Sequence, residues 1–135
     1  MRGLVNSVGT VIARRCPRQV LSSSGSNYGP TILPALEASK KGYAQVLWLY
    51  GPEHYVTEVG TMNCFALWQN ETGEHELVTA PLDGTILPGV TRDSIITLAR
   101  EWGYKVTERP FTMKEVVEKV EQGKVRSMGA YVGAH

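Results

Sequence analysis

Three segments of strand length, Gln45–Tyr50, Met62–Gln69 and Glu76–Thr79, stand one after another, divided by turn-forming stretches. The first run is apolar almost without interruption, which predicts a strand covered on both faces. Gly51-Pro52-Glu53-His54 turns the chain after it. Asn70-Glu71-Thr72-Gly73 joins the second and third runs as a hairpin. Upstream, Thr31 to Lys41 reads as a short helix with Pro34 in its first turn, where a missing N–H is tolerated, and Gly42 as its stop.

Downstream the signals turn helical. Thr91 is placed to cap a helix with an apolar stripe of Ile95, Leu98, Ala99 and Trp102. Asp93 in its first turn, Arg100 in its last and Gly103 beyond complete the pattern. Lys105–Arg109 reads as a short strand before Pro110. Thr112 and Glu115 then form a capping box, with Phe111 and Val116 as its hydrophobic staple. That helix is expected to bury Val116, Val117 and Val120, to end at Gly123, and to feed a last strand at Lys124–Met128. Hairpins mixed with helices define an α/β or α+β body.

At 135 residues, 42% hydrophobic and 20% charged, the chain suits one modest domain with a real core. No run approaches the roughly 18 apolar residues of a membrane span, and a net charge of +1 gives no general pull toward nucleic acid or lipid. Neither partner is expected. Two cysteines are too few for a disulfide scaffold, and no His/Cys spacing suggests a metal.

Charge is unevenly spread. Residues 1–36 hold Arg2, Arg14, Arg15 and Arg18 and no acid. Residues 1–20 are therefore read as a basic extension, either an unaddressed tail or one resembling a mitochondrial presequence. Residues 21–26 form a Ser-rich linker, 27–128 the body, and 129–135 a divergent tail.

Three features of the body can carry chemistry. Glu58 is the single formal charge between Glu53 and Glu71, so it is either a solvated loop acid or a carboxylate facing a cation. Leu87-Pro88-Gly89-Val90-Thr91-Arg92 runs from a glycine turn straight into a helix, an anion-binding geometry as well as an ordinary helix start. Arg92 would add positive charge there. Asn27-Tyr28-Gly29-Pro30 places a tyrosine at a loop-to-helix junction. No GxGxxG, P-loop, HExxH or nucleophile elbow accompanies them.

Taken together, residues 26–43 (SNYGPTILPALEASKKGY), 45–63 (QVLWLYGPEHYVTEVGTMN), 76–95 (ELVTAPLDGTILPGVTRDSI) and 98–113 (LAREWGYKVTERPFTM) resemble the large domain of branched-chain amino acid aminotransferases. These are fold-type IV enzymes dependent on pyridoxal phosphate. The resemblance implies an incomplete large C-terminal domain of that fold and transfer of the amino group of leucine, isoleucine or valine to 2-oxoglutarate. It implies branched-chain amino acids and 2-oxo acids as substrates, a dimeric assembly, and a mitochondrial or cytoplasmic location. Glu58 would pair with the pyridine nitrogen of the cofactor and keep it protonated. Tyr28 would hydrogen-bond the phenolic oxygen, and the Val90 and Thr91 amides would hold the phosphate. Thr61 would add a cofactor-side contact, and Met62 would stand near the substrate.

The departures are equally specific. The family carries its Schiff-base lysine four residues before the Asn of Lys-x-Gly-Gly-Asn-Tyr, and counting back from Asn27 gives Ser23. Serine supplies no amine, so covalent attachment of pyridoxal phosphate is not expected. Residues resembling the family's small N-terminal domain are missing, and Val125-Arg126-Ser127-Met128 does not lead into the Phe-Gly-Ser-Gly-Thr-Ala loop. The expectation is a truncated, catalytically impaired aminotransferase; the alternative is a non-enzymatic partner of a full-length one.

Overall fold

The computed structural model describes residues 29–131; Ser23, Tyr28, the basic extension and the linker lie outside the described residues. In chain order it runs α1 (Gly29–Lys40), β1 (Leu47–Tyr50), β2 (Tyr55–Val59), β3 (Met62–Gln69), β4 (His75–Thr79), α2 (Val90–Glu101), β5 (Lys105–Glu108), α3 (Met113–Glu121) and β6 (Val125–Tyr131). The mixed α/β class is as expected.

The six strands make one sheet. β1 to β4 pair in antiparallel succession, and β5 joins β4 in parallel after the crossover through α2. β6 returns to β3. Asn63 pairs with Glu58 of β2 and with Tyr131 of β6, whereas Phe65 to Trp68 pair with β4 and β6. A strand has only two edges, so β2 and β4 share the edge of β3 that β6 does not occupy. They part at Cys64, whose carbonyl accepts from the Thr79 hydroxyl at 2.7 Å. The 80–89 segment enters the site beside that parting.

One face of β3 carries Cys64, Ala66 and Trp68 into a core with Leu47, Leu49, Val56, Val78, Phe111 and Val116. α3 covers this face. Thr112 caps it, accepting from the Glu115 N–H at 3.1 Å, as the capping box predicts. Trp68, fully buried, meets Phe111 edge to face at 5.8 Å and donates to Glu76.

Several expectations are corrected. β1 is an edge strand, with Leu47 and Leu49 buried but Tyr50 exposed, so it is covered mainly on one face. β2 is a strand that the apolar pattern does not announce: its Thr57 and Glu58 are polar, yet Thr57 is buried and donates to the Trp48 carbonyl. α1 begins at Gly29, which puts Pro34 inside the helix rather than in its first turn. On α2 the buried residues are Arg92, Ile96 and Ala99, while Leu98 and Trp102 are exposed. Gly89, not Thr91, is its N-cap. α3 buries Val116 but leaves Val117 and Val120 exposed, with Lys119 buried instead. β6 continues to Tyr131, three residues past the predicted end, because Gly129 and Ala130 still pair with Phe65 and Cys64.

Candidate functional site

Glu58 owes its position to an irregularity of the sheet. From Leu47 to Leu49 is two steps along β1, but their partners Val59 and Val56 are three steps apart on β2. β2 therefore carries one extra residue, a bulge. Val56 and Val59 both reach the core side, and strict alternation no longer carries Glu58 there with Val56. Glu58 instead lies opposite Asn63. Asn63 and Phe65 project on the face of β3 away from Cys64, Ala66 and Trp68. A tight turn at Gly60-Thr61 closes this hairpin. Gly60 has φ of +59°, a left-handed value that glycine adopts without strain, and its carbonyl accepts from the Trp48 indole at 2.8 Å.

The second half of the site arrives from the loop ahead of α2. The Leu87 N–H donates to Oε1 of Glu58 at 3.0 Å, and the Leu87 carbonyl accepts from Nδ2 of Asn63 at 2.9 Å. Asn63 also reaches Oε1 of Glu58 in a longer contact of 3.4 Å. Pro88 is the centre of a three-residue turn, closed by the Gly89 N–H on the Leu87 carbonyl at 3.0 Å. Gly89 then caps α2 in an extended conformation, with no side-chain bond to the cap. Its φ is ordinary, so glycine is needed for a different reason: a Cβ would lie 2.3 Å from Oδ1 of Asn63.

Burial pushes the Glu58 carboxyl above its ordinary value, and the Leu87 N–H pulls it partly back. A carboxylate in this state gains more from a cationic partner than a solvated one does.

The sequence-derived residues divide clearly. Glu58 and the start of α2 are brought together through Leu87. Val90 and Thr91 occupy the first turn of α2. Thr61 is exposed in the hairpin turn, and Met62 is half-buried next to it. Arg92 is a correction: it does not add free charge to the helix start. Its guanidinium is buried on the Ala80 carbonyl at 2.9 Å and on Glu108 at 2.8 Å. Asn63 was missed as a site residue, and Gly89, read only as the glycine of the turn into α2, was not paired with it. For Asn63 the signal in the sequence is that it falls within a stretch carrying the resemblance. Among the described residues no group of His, Cys, Asp and Glu is arranged to hold a metal.

The class of protein is shown by the family match. The chain belongs to amino-transferase class IV, whose family profile matches residues 10–121. Within that class it is similar to branched-chain enzymes. It is 59% identical over 105 residues to the mitochondrial branched-chain-amino-acid aminotransferase of Schizosaccharomyces pombe, a match covering 75% of this chain and 25% of that protein. The mitochondrial enzyme of Rattus norvegicus is 59% identical over 105 residues, covering 77% and 27%. A solved Escherichia coli branched-chain amino acid aminotransferase superposes with a TM-score of 0.69 at 26% identity, over 89% of this chain and 37% of that one. The chain thus spans about a quarter of the length of the curated relatives it matches.

Proposed function

We propose that this chain carries the coenzyme-facing part of a branched-chain amino acid aminotransferase and binds pyridoxal phosphate without covalent attachment. The observation that carries this reading is the bond from the Leu87 N–H to Glu58, which ties a desolvated carboxylate to the segment entering α2. Leu87 and Val90 are three residues apart, about 11 Å at full stretch. An acid and a helical first turn so close suit a small phosphorylated heteroaromatic ring. The family's dependence on pyridoxal phosphate supplies its identity.

The residues fit that group at two ends. Glu58 accepts the N–H of a protonated pyridine nitrogen, and the Val90 and Thr91 amides hold the phosphate at the start of α2. Thr61 adds a contact on the coenzyme side, Met62 stands toward the substrate, and Tyr28 donates to the phenolic oxygen. When bound, pyridoxal phosphate supplies an electron-withdrawing ring that weakens bonds at the substrate α-carbon. Position 23 does not fit: Ser23 has no amine to bond the coenzyme or to move a proton at that carbon. The substrates of this reading are branched-chain amino acids and 2-oxo acids. Relatives named mitochondrial and cytosolic support either compartment.

A non-enzymatic role beside a full-length aminotransferase is the second reading. It is favoured by Ile32, Leu33 and Leu36, which lie exposed on one side of α1. Titrating the pure chain with pyridoxal phosphate and following coenzyme fluorescence decides the first reading. Saturable binding that Glu58→Gln weakens about 10- to 100-fold, the loss of a charge-assisted hydrogen bond, supports it. Binding indifferent to that substitution removes it.

A further inference from the structure

We propose that Asn63 is a positioning residue that locks the Glu58 carboxylate and the Leu87–Gly89 turn into one unit, so that acid and helix start keep a fixed spacing. The inference rests on the coenzyme reading for its purpose, but its geometry is independent of it.

Asn63 is buried and uses its amide in two directions. Nδ2 donates to the Leu87 carbonyl at 2.9 Å and approaches Glu58 at 3.4 Å. Leu87 completes the circuit by donating its own N–H to Glu58 at 3.0 Å. Three groups from β2, β3 and the pre-helix loop therefore hold one another, although Glu58 and Leu87 are 29 residues apart in sequence. On the other side of the amide, Oδ1 occupies the volume a Gly89 Cβ would need, at 2.3 Å. Gly89 is thus the counterpart of Asn63: it lets the helix cap close onto the amide. Aspartate at position 63 would set a second carboxylate against Glu58, and alanine would leave the Leu87 carbonyl with the Gly89 N–H alone. Asparagine meets the donor requirement without adding charge.

The test measures amide hydrogen exchange and ligand binding on the full chain. Asn63→Ala is expected to raise exchange at the Leu87 amide about tenfold, with Trp68 and Val78 amides unchanged. It should weaken pyridoxal phosphate and inorganic phosphate alike, whereas Glu58→Gln weakens only the former. It should also raise the midpoint at which the Glu58 carboxyl carbon titrates, because the Leu87 N–H that lowers it is no longer held in place; a merely structural role would not move that signal. Gly89→Ala should reproduce these effects in the native background and add little to Asn63→Ala, since the clash is then gone. If Asn63→Ala does not fold, Gly89→Ala alone decides: faster Leu87 exchange over an intact core supports the lock. Leu87 exchange unchanged in either variant, or effects of the two substitutions that simply add, overturns it. Should the native chain bind neither probe, the coenzyme reading falls while Leu87 exchange still judges the lock.

Discussion

A carboxylate withdrawn from water is held in its charged form at a disadvantage, and Glu58 shows the sign of it. Its ordinary value of 4.5 is raised by burial more than the Leu87 N–H lowers it. Between 4.5 and the raised value, the folded chain keeps a proton that the unfolded chain has released. The stability this gives is fully present below 4.5 and is lost as pH rises through the raised value. Glu58→Gln removes the charge and keeps an oxygen for Leu87. Without ligand it should melt higher than the native chain at pH 7, and the gain should vanish as pH falls below 4.5. Thermal denaturation across pH checks this; a gain that persists at low pH sinks it. Cys64 shows the same physics in a thiol. Burial pushes it up to about 12, so a thiol reagent should not modify it at pH 8 until the chain is unfolded in urea. The isolation of Glu58 in a charge-free stretch was legible in the sequence, and the resemblance gave it a role. Asn63 was not legible, because an asparagine that bridges two segments leaves no local pattern.

Elements that obey a local rule were readable, and those set by tertiary partners were not. The capping box at Thr112 needs only residues within one turn, and it forms as read. Thr112→Ala should cost about 1 kcal/mol in urea denaturation, the usual effect of a lost N-cap. α2 misled because its buried side includes an arginine. Arg92 lies inside by pairing with Glu108 and the Ala80 carbonyl, which turns Ile96 and Ala99 inward and Trp102 out. Apolar periodicity cannot see such a partner. Ile96→Ala should therefore destabilise by about 2–4 kcal/mol, while Trp102→Ala stays within about 0.5 kcal/mol. Equal effects would return α2 to the face that its apolar periodicity predicts. The β2 bulge was hidden in the same way: its extra residue is defined by register against β1.

At the scale of the whole molecule, the return of β6 to β3 and the parallel docking of β5 involve strands distant in sequence, whose pairing no short window reveals. On the proposed function, chain order sets the spacing of the groups that would hold the coenzyme, and that makes position 23 a decisive test. Glu58 and the turn before α2 are already joined, so on the proposed function the pocket lacks one amine. Ser23→Lys places an amine four residues before Asn27, the spacing the family resemblance requires. With pyridoxal phosphate and borohydride, the variant should take up coenzyme saturably at position 23. The native chain should show only weak, non-saturating modification of exposed lysines such as Lys40 and Lys41. Adding Glu58→Gln to the variant should reduce its uptake at limiting coenzyme, because the acid and the amine act on one ring. Free pyridoxal, which has no phosphate for Val90 and Thr91 to hold, should label position 23 far less efficiently. A variant that binds pyridoxal phosphate as the native chain does, yet is never labelled at position 23, would mean that this segment does not reach the Glu58 site.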